Sequence, residues 1–163
     1  ERTGKSEPTL YRRLAEIVKA CQDLPGEELF QYLDDDGTQI DVASTHVNEY
    51  LREVMGATFT AKDFRTWGGT VVAAETLVEL GPPESEKDAE KQIITAVDAA
   101  AEKLGNTRSV CRSCYVHPAI PEAHADGTLL KVWRSTRNTA ASRRGERTVL
   151  KVLEEKASQQ QAA

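Results

Sequence analysis

The chain has 163 residues, 39% of them apolar and 29% charged. That is enough apolar material for one hydrophobic core and argues against wholesale disorder. No apolar run approaches the roughly 18 residues of a membrane span, which excludes an integral helical membrane protein.

The net charge of −5 argues mildly against nucleic acid as a partner. The average hides a polarised distribution, because from Lys131 to Lys151 seven basic residues stand against the single acid Glu146. A local basic surface can bind phosphates while an acidic remainder keeps the protein in solution. Three cysteines do not make a disulfide framework, and a reducing cytoplasmic compartment is the simplest expectation. The chain opens with Glu1, without the apolar stretch of a secretory signal, and is expected to come from a longer parent.

In chain order, Leu10, Leu14, Ile17, Val18 and Cys21 recur at helical spacing, and Pro25-Gly26 closes that helix. Leu29 to Leu33 is a short apolar run ending in the turn Asp34-Asp35-Asp36-Gly37; Ile40 and Val42 alternate with polar residues beyond it, so a small strand pair is expected. Ser44 reads as the N-cap of a helix through Val47, Tyr50, Leu51 and Val54, stopped by Gly56. Thr60 introduces a helix from about Ala61 to Leu80. Ser85 opens another, through Ile93, Val97 and Leu104, stopped by Gly105.

Asn106 or Thr107 can cap a shorter helix from Arg108 to about Val116, since His117 stands before Pro118 and is pushed out of the helical region. A loop is expected around Pro118, Pro121 and Gly127. A last helix spans about Arg144 to Lys156, and residues 158–163 read as a frayed, disordered tail. The expected fold is mainly α with a small β-hairpin, as one domain over residues 1–157.

Two segments carry unusual chemistry. In Phe59-Thr-Ala-Lys62-Asp63-Phe64-Arg65-Thr66-Trp67-Gly68-Gly69-Thr70, cations crowd the first turns of a helix. The macrodipole there favours Asp63 and disfavours Lys62 and Arg65. A solvated helix start is one reading; an anion site where cations and free N–H groups meet a phosphate is the other.

The second segment, Leu104-Gly105-Asn106-Thr107-Arg108-Ser109-Val110-Cys111-Arg112-Ser113-Cys114-Tyr115-Val116-His117-Pro118, has two arginines and no acid. Tyr115 ends a short helix there, either covering the core with its hydroxyl in water or serving as a nucleophile. A phenol, with an ordinary pKa of about 10, needs cations or a base nearby to attack at neutral pH. Cys111, Cys114, His117 and His124 could also be zinc ligands, although structural zinc sites usually leave a longer loop between ligand pairs.

KDFRTWGGT together with LGNTRSVCRSCYVHP closely resembles the catalytic domain of type IB DNA topoisomerases, of the compact bacterial and poxviral sort. LPGEELFQYLDDDG and VNEYLREVMG are similar to that family as well, so the resemblance runs from about Leu14 to Lys156. It implies an enzyme that relaxes supercoiled double-stranded DNA through a transient 3′-phosphotyrosyl bond, using neither metal, cofactor nor ATP. A monomer, associated with the nucleoid and away from membranes, is implied too.

Carried over by position, Tyr115 is the nucleophile, Arg65 binds non-bridging phosphate oxygens, and Asn106, nine residues before the tyrosine, donates its amide N–H to phosphate. Lys62 is a further phosphate contact, and Thr66, Arg108 and Arg112 are expected at the DNA. The family's general-acid lysine has a counterpart in Lys5 of Thr3-Gly4-Lys5-Ser6, for which a stray lysine at the chain end is the equal alternative. A further arginine of the family, upstream of that lysine, has no counterpart.

Two other functions compete. Tyrosine recombinases share the chemistry but usually show His-x-x-Arg where this chain has Lys62-Asp-Phe-Arg65, and usually a histidine where Asn106 stands. A non-catalytic helical module binding DNA through Lys131 to Lys151 is the other.

Overall fold

The computed structural model describes residues 7–24, 26, 28–56, 58–139 and 143–161. It is mainly helical with one small antiparallel sheet, as the sequence leads one to expect. The chain divides into two compact units, Glu1–Thr60 and Ala61–Ala163. Among the described residues no helix is long and apolar enough to cross a membrane.

The first unit holds α1 (Glu7–Gln22), β1 (Gln31–Leu33), β2 (Gln39–Asp41) and α2 (Ser44–Met55). Tyr32 pairs with Ile40 at the centre of the hairpin. The aspartate run makes its turn: the Asp34 carboxylate accepts from the Asp36 and Thr38 N–H groups (3.1 and 2.7 Å), and Gly37 takes a left-handed φ of 77°. Ser44 was expected to cap α2, but it lies inside the helix. Ala43 takes the cap position without a side chain to cap with, and its own N–H donates to His46 Nδ1 at 3.1 Å, the reciprocal half of a capping box. Gly56, at φ 64°, ends the helix as anticipated.

The second unit contains α3 (Ala61–Leu80), α4 (Glu86–Leu104), α5 (Arg108–Cys114), α6 (Ala119–Ala125), α7 (Thr128–Ser135) and α8 (Arg144–Gln161). Ala73, Ala74 and Leu77 of α3 and Ala96, Val97, Ala100 and Ala101 of α4 face a common core. Small side chains on both helices let their backbones approach closely, and Leu77, Ile120 and Leu129 fill the space between elements. Cutting any of these three to alanine costs about 2–5 kcal/mol.

The loop expected around Pro118, Pro121 and Gly127 is instead two helices, α6 and α7. Pro118 precedes the first residue of α6 and Pro121 lies in its first turn, where an N–H has no intrahelical acceptor and its loss costs nothing. Gly127, at φ 79°, makes the corner, and the Asp126 carboxylate accepts from Thr128 N–H at 2.9 Å. Helix α8 continues to Gln161, so Ser158 to Gln161, placed in the tail by sequence, are helical.

The basic stretch has a structural task. Arg144 of α8 donates from Nε and a terminal nitrogen to Trp133 O (3.1 and 2.5 Å) and lies 4.4 Å from the Trp133 ring centroid. Arg147 donates to Arg137 O at 3.2 Å, and Lys151 to the buried Thr136 hydroxyl at 3.3 Å. Arg144 therefore meets a carbonyl in the last turn of α7, where the dipole is negative, and Arg147 and Lys151 bind the residues just beyond it. That assigns them to holding α8 on α7 and weakens the case for Lys131 to Lys151 as a separate duplex-binding surface.

Candidate active site

The site is built where α4 stops and α5 starts. Gly105, left-handed at φ 65°, lets its N–H reach back to Glu102 O (3.2 Å), while Asn106 N–H reaches Ala101 O (2.9 Å). This is the paired bonding of a Schellman stop, which needs glycine at its bend. Thr107 then caps α5, accepting from Val110 N–H at 3.4 Å. Helix stop and helix start occupy consecutive residues, leaving Asn106 held between them.

The last carbonyl of α4, at Leu104, is one that the helix cannot satisfy itself. Arg65 of α3 donates to it at 3.0 Å, and the Asn106 side-chain amide donates to it at 3.3 Å. The Arg65 guanidinium also lies over the Tyr115 ring, 5.0 Å from its centroid. Arg65, Asn106 and Tyr115, far apart in sequence, thus share one small neighbourhood, and all three are half-buried.

Tyr115 leaves α5 at its C-cap, with φ −126° and ψ −2°. Its N–H and that of Val116 both donate to Cys111 O (2.9 and 3.0 Å). Beyond it, His117 Nδ1 accepts from Ala119 N–H at 3.2 Å.

The other expected residues are distributed differently. Thr66 is half-buried on α3, and its hydroxyl proton is shared between Lys62 O (3.0 Å) and Cys114 O (3.3 Å). That ties it to the main chain of the tyrosine segment. Lys62 and Arg112 are exposed, on α3 and in the last turn of α5. Arg108 forms a bidentate pair with Asp98 of α4 (2.5 and 2.6 Å). The bond to Arg108 holds the Asp98 carboxyl below its usual range, and the bond to Asp98 raises Arg108. Lys5 lies outside the described residues.

The four zinc candidates are employed separately. Cys111 is buried in the core, where desolvation raises its thiol pKa against an opposing pull from the Arg65 charge. His124 is fully buried, with Nε2 2.6 Å from Gln92 Oε1. Among the described residues no group of three or more His, Cys, Asp or Glu side chains converges as a metal site.

Sequence reasoning passed over three contributors: the Leu104 carbonyl, Gly69 and Thr70. The Thr70 hydroxyl, buried on α3, is 3.4 Å from Tyr115 O and 3.1 Å from His117 N. The available signal was spacing, since Thr66 and Thr70 fall one turn apart on the helix that carries Arg65.

With this geometry in place, comparison with known proteins is informative. The family model described as the catalytic core of eukaryotic DNA topoisomerase I matches residues 2–131. A protein of Acanthamoeba polyphaga mimivirus named DNA topoisomerase 1B is 34% identical over 106 residues, covering 61% of this chain and 32% of the viral protein. The chain therefore spans about a third of the length of that relative.

Proposed function

The chain belongs to the DNA topoisomerase I catalytic-core family, and from that premise we propose that it acts as a type IB enzyme, relaxing supercoiled duplex DNA through a tyrosyl intermediate. The observation that carries this reading is the Arg65 guanidinium over the Tyr115 ring, with Asn106 on the same Leu104 carbonyl.

In the proposed reaction the Tyr115 hydroxyl gives its proton to water and its oxygen attacks a backbone phosphorus. A P–O bond to tyrosine forms, the P–O5′ bond breaks, and the departing 5′-oxygen takes up a proton. The phosphodiester energy is kept in the 3′-phosphotyrosyl bond, so ATP is not needed for resealing. The broken strand rotates about the intact one, and the 5′-hydroxyl then attacks phosphorus and restores the tyrosine.

Negative charge grows on the non-bridging oxygens as phosphorus is attacked. Arg65 and Asn106, gathered half-buried on the Leu104 carbonyl, are assigned the remaining N–H groups that meet that charge, and each preorganised donor of this kind contributes about 3–4 kcal/mol. Asn106 donates without transferring a proton. Lys62 and Arg112 extend the positive surface along the duplex backbone, and Lys5 is assigned the role of acid for the 5′-oxygen.

The test is plasmid relaxation in EDTA without ATP, alongside capture of the covalent protein–DNA adduct. Tyr115→Phe should abolish both while leaving salt-dependent duplex binding intact. An adduct formed by the Tyr115→Phe protein would remove Tyr115 from its role.

A further inference from the structure

On α3, Gly69 lies one turn from Arg65, and Thr66 and Thr70, also one turn apart, run alongside them. Tyr115 sits against these residues through its main chain as well as its ring. An added Cβ at Gly69 would lie 2.6 Å from Tyr115 O and 3.0 Å from Leu104 Cδ1. Only glycine permits this approach, because the closest atom is backbone and cannot swing aside.

Thr70, 2% exposed, sits one residue on. Its hydroxyl donates to Tyr115 O (3.4 Å) and accepts from His117 N–H (3.1 Å). Tyr115 stands at the C-cap of α5, where the helix has run out of partners for these groups. One buried hydroxyl, which can donate and accept together, binds the main chain on either side of Val116.

We infer that Thr70, seated beside Gly69, is a positioning residue that clasps the Tyr115–His117 main chain against α3 and so holds the tyrosine beneath Arg65. Thr70 reaches no DNA itself; it acts through Tyr115. The inference rests on the function proposed above, since a fixed distance between nucleophile and phosphate clamp matters only to an enzyme that uses both. In-line attack is sensitive to placement, and an error of about 1 Å costs about 100-fold in rate.

The experiment compares Thr70→Val, which keeps shape and loses the hydroxyl, with Thr70→Ser, which keeps the hydroxyl. Two readouts are taken on the full chain: single-turnover formation of the covalent adduct, and NMR of the free protein. Thr70→Val should slow adduct formation by about 10- to 100-fold at unchanged duplex affinity, and Thr70→Ser should restore it to within about threefold. In the free protein, Thr70→Val should speed exchange of the His117 amide and shift the Arg65 guanidinium resonance as the Tyr115 ring moves; Thr70→Ser should do neither.

Wild-type adduct formation by Thr70→Val, or Thr70→Ser as slow as Thr70→Val, would overturn the inference. If the unmutated chain forms no adduct, the enzymatic reading fails on its own account. The NMR comparison still decides the clasp, and an unshifted Arg65 resonance in Thr70→Val would refute it. Should Thr70→Val not fold, Thr70→Cys, a weaker donor of similar volume, is put through the same comparison with the same outcomes.

Discussion

Arg65 and Arg144 are built alike and are used differently. Each is half-buried, each lies on an aromatic ring, and each donates to a carbonyl at or near the end of a neighbouring helix. Arg144 commits two nitrogens to the single oxygen of Trp133, and its ring partner has no nucleophilic atom. Arg65 commits one terminal nitrogen to Leu104 O, its ring partner is a tyrosine, and an asparagine amide stands on the same carbonyl. An arginine at a helix end is therefore no mark of a site by itself. The difference lies in the company each keeps: the carbonyl that Arg65 binds is shared with an asparagine amide, and its ring partner carries a hydroxyl.

The largest expected effect breaks that pairing at the site. Arg65→Ala should lower single-turnover cleavage by about 100- to 1,000-fold in protein that is still folded at the assay temperature, beyond the about 1–2 kcal/mol of stability lost with its one hydrogen bond and ring contact. Equal loss of folding and cleavage would make Arg65 a second Arg144. The reciprocal variant, Arg144→Ala, should lower unfolding stability by about 2 kcal/mol, from the loss of charged hydrogen bonds and ring contact, read by urea titration. The salt dependence of its duplex binding should match wild type.

A milder perturbation leaves both arginines in place and varies pH. Burial holds the His124 imidazole below its ordinary pKa, against a weaker opposing pull from Asp88. The unfolded chain then takes up a proton near pH 6.5 that the folded chain refuses. Stability is full above that pH and falls as pH drops through it toward the folded value. Melts between pH 7 and 5.5 should show the decline, and His124→Gln should flatten it; an equal slope in the variant would place the titration elsewhere. The smallest effect belongs to Arg108→Ala. Because Arg108 is paired with Asp98, the slope of log affinity against log salt should change by less than about one ion.

The sequence displayed the candidate residues better than what supports them. α3 and α4 were readable because apolar spacing and glycine stops agree, and Arg65, Asn106 and Tyr115 stood out through two motifs. α6 and α7 were hidden by Pro118, Pro121 and Gly127, which read as breakers although helices accept proline in the first turn. Counting charges from Lys131 to Lys151 suggested a phosphate surface because carbonyls do not appear in a charge count. Only the fold shows that Trp133 O and Arg137 O receive Arg144 and Arg147. For the same reason the Leu104 carbonyl, where Arg65 and Asn106 meet, could not be read from any side chain.

The junction from Leu104 to Thr107 has no spare residue, and this makes the interval between amide and phenol a ruler. One amino acid inserted within α5 would turn Tyr115 by about 100° and carry it about 1.5 Å along the axis, swinging the ring out from under the guanidinium. Length change in this stretch should therefore be tolerated far less than substitution at Ser109 or Ser113, both exposed, which leave the measure of the helix untouched.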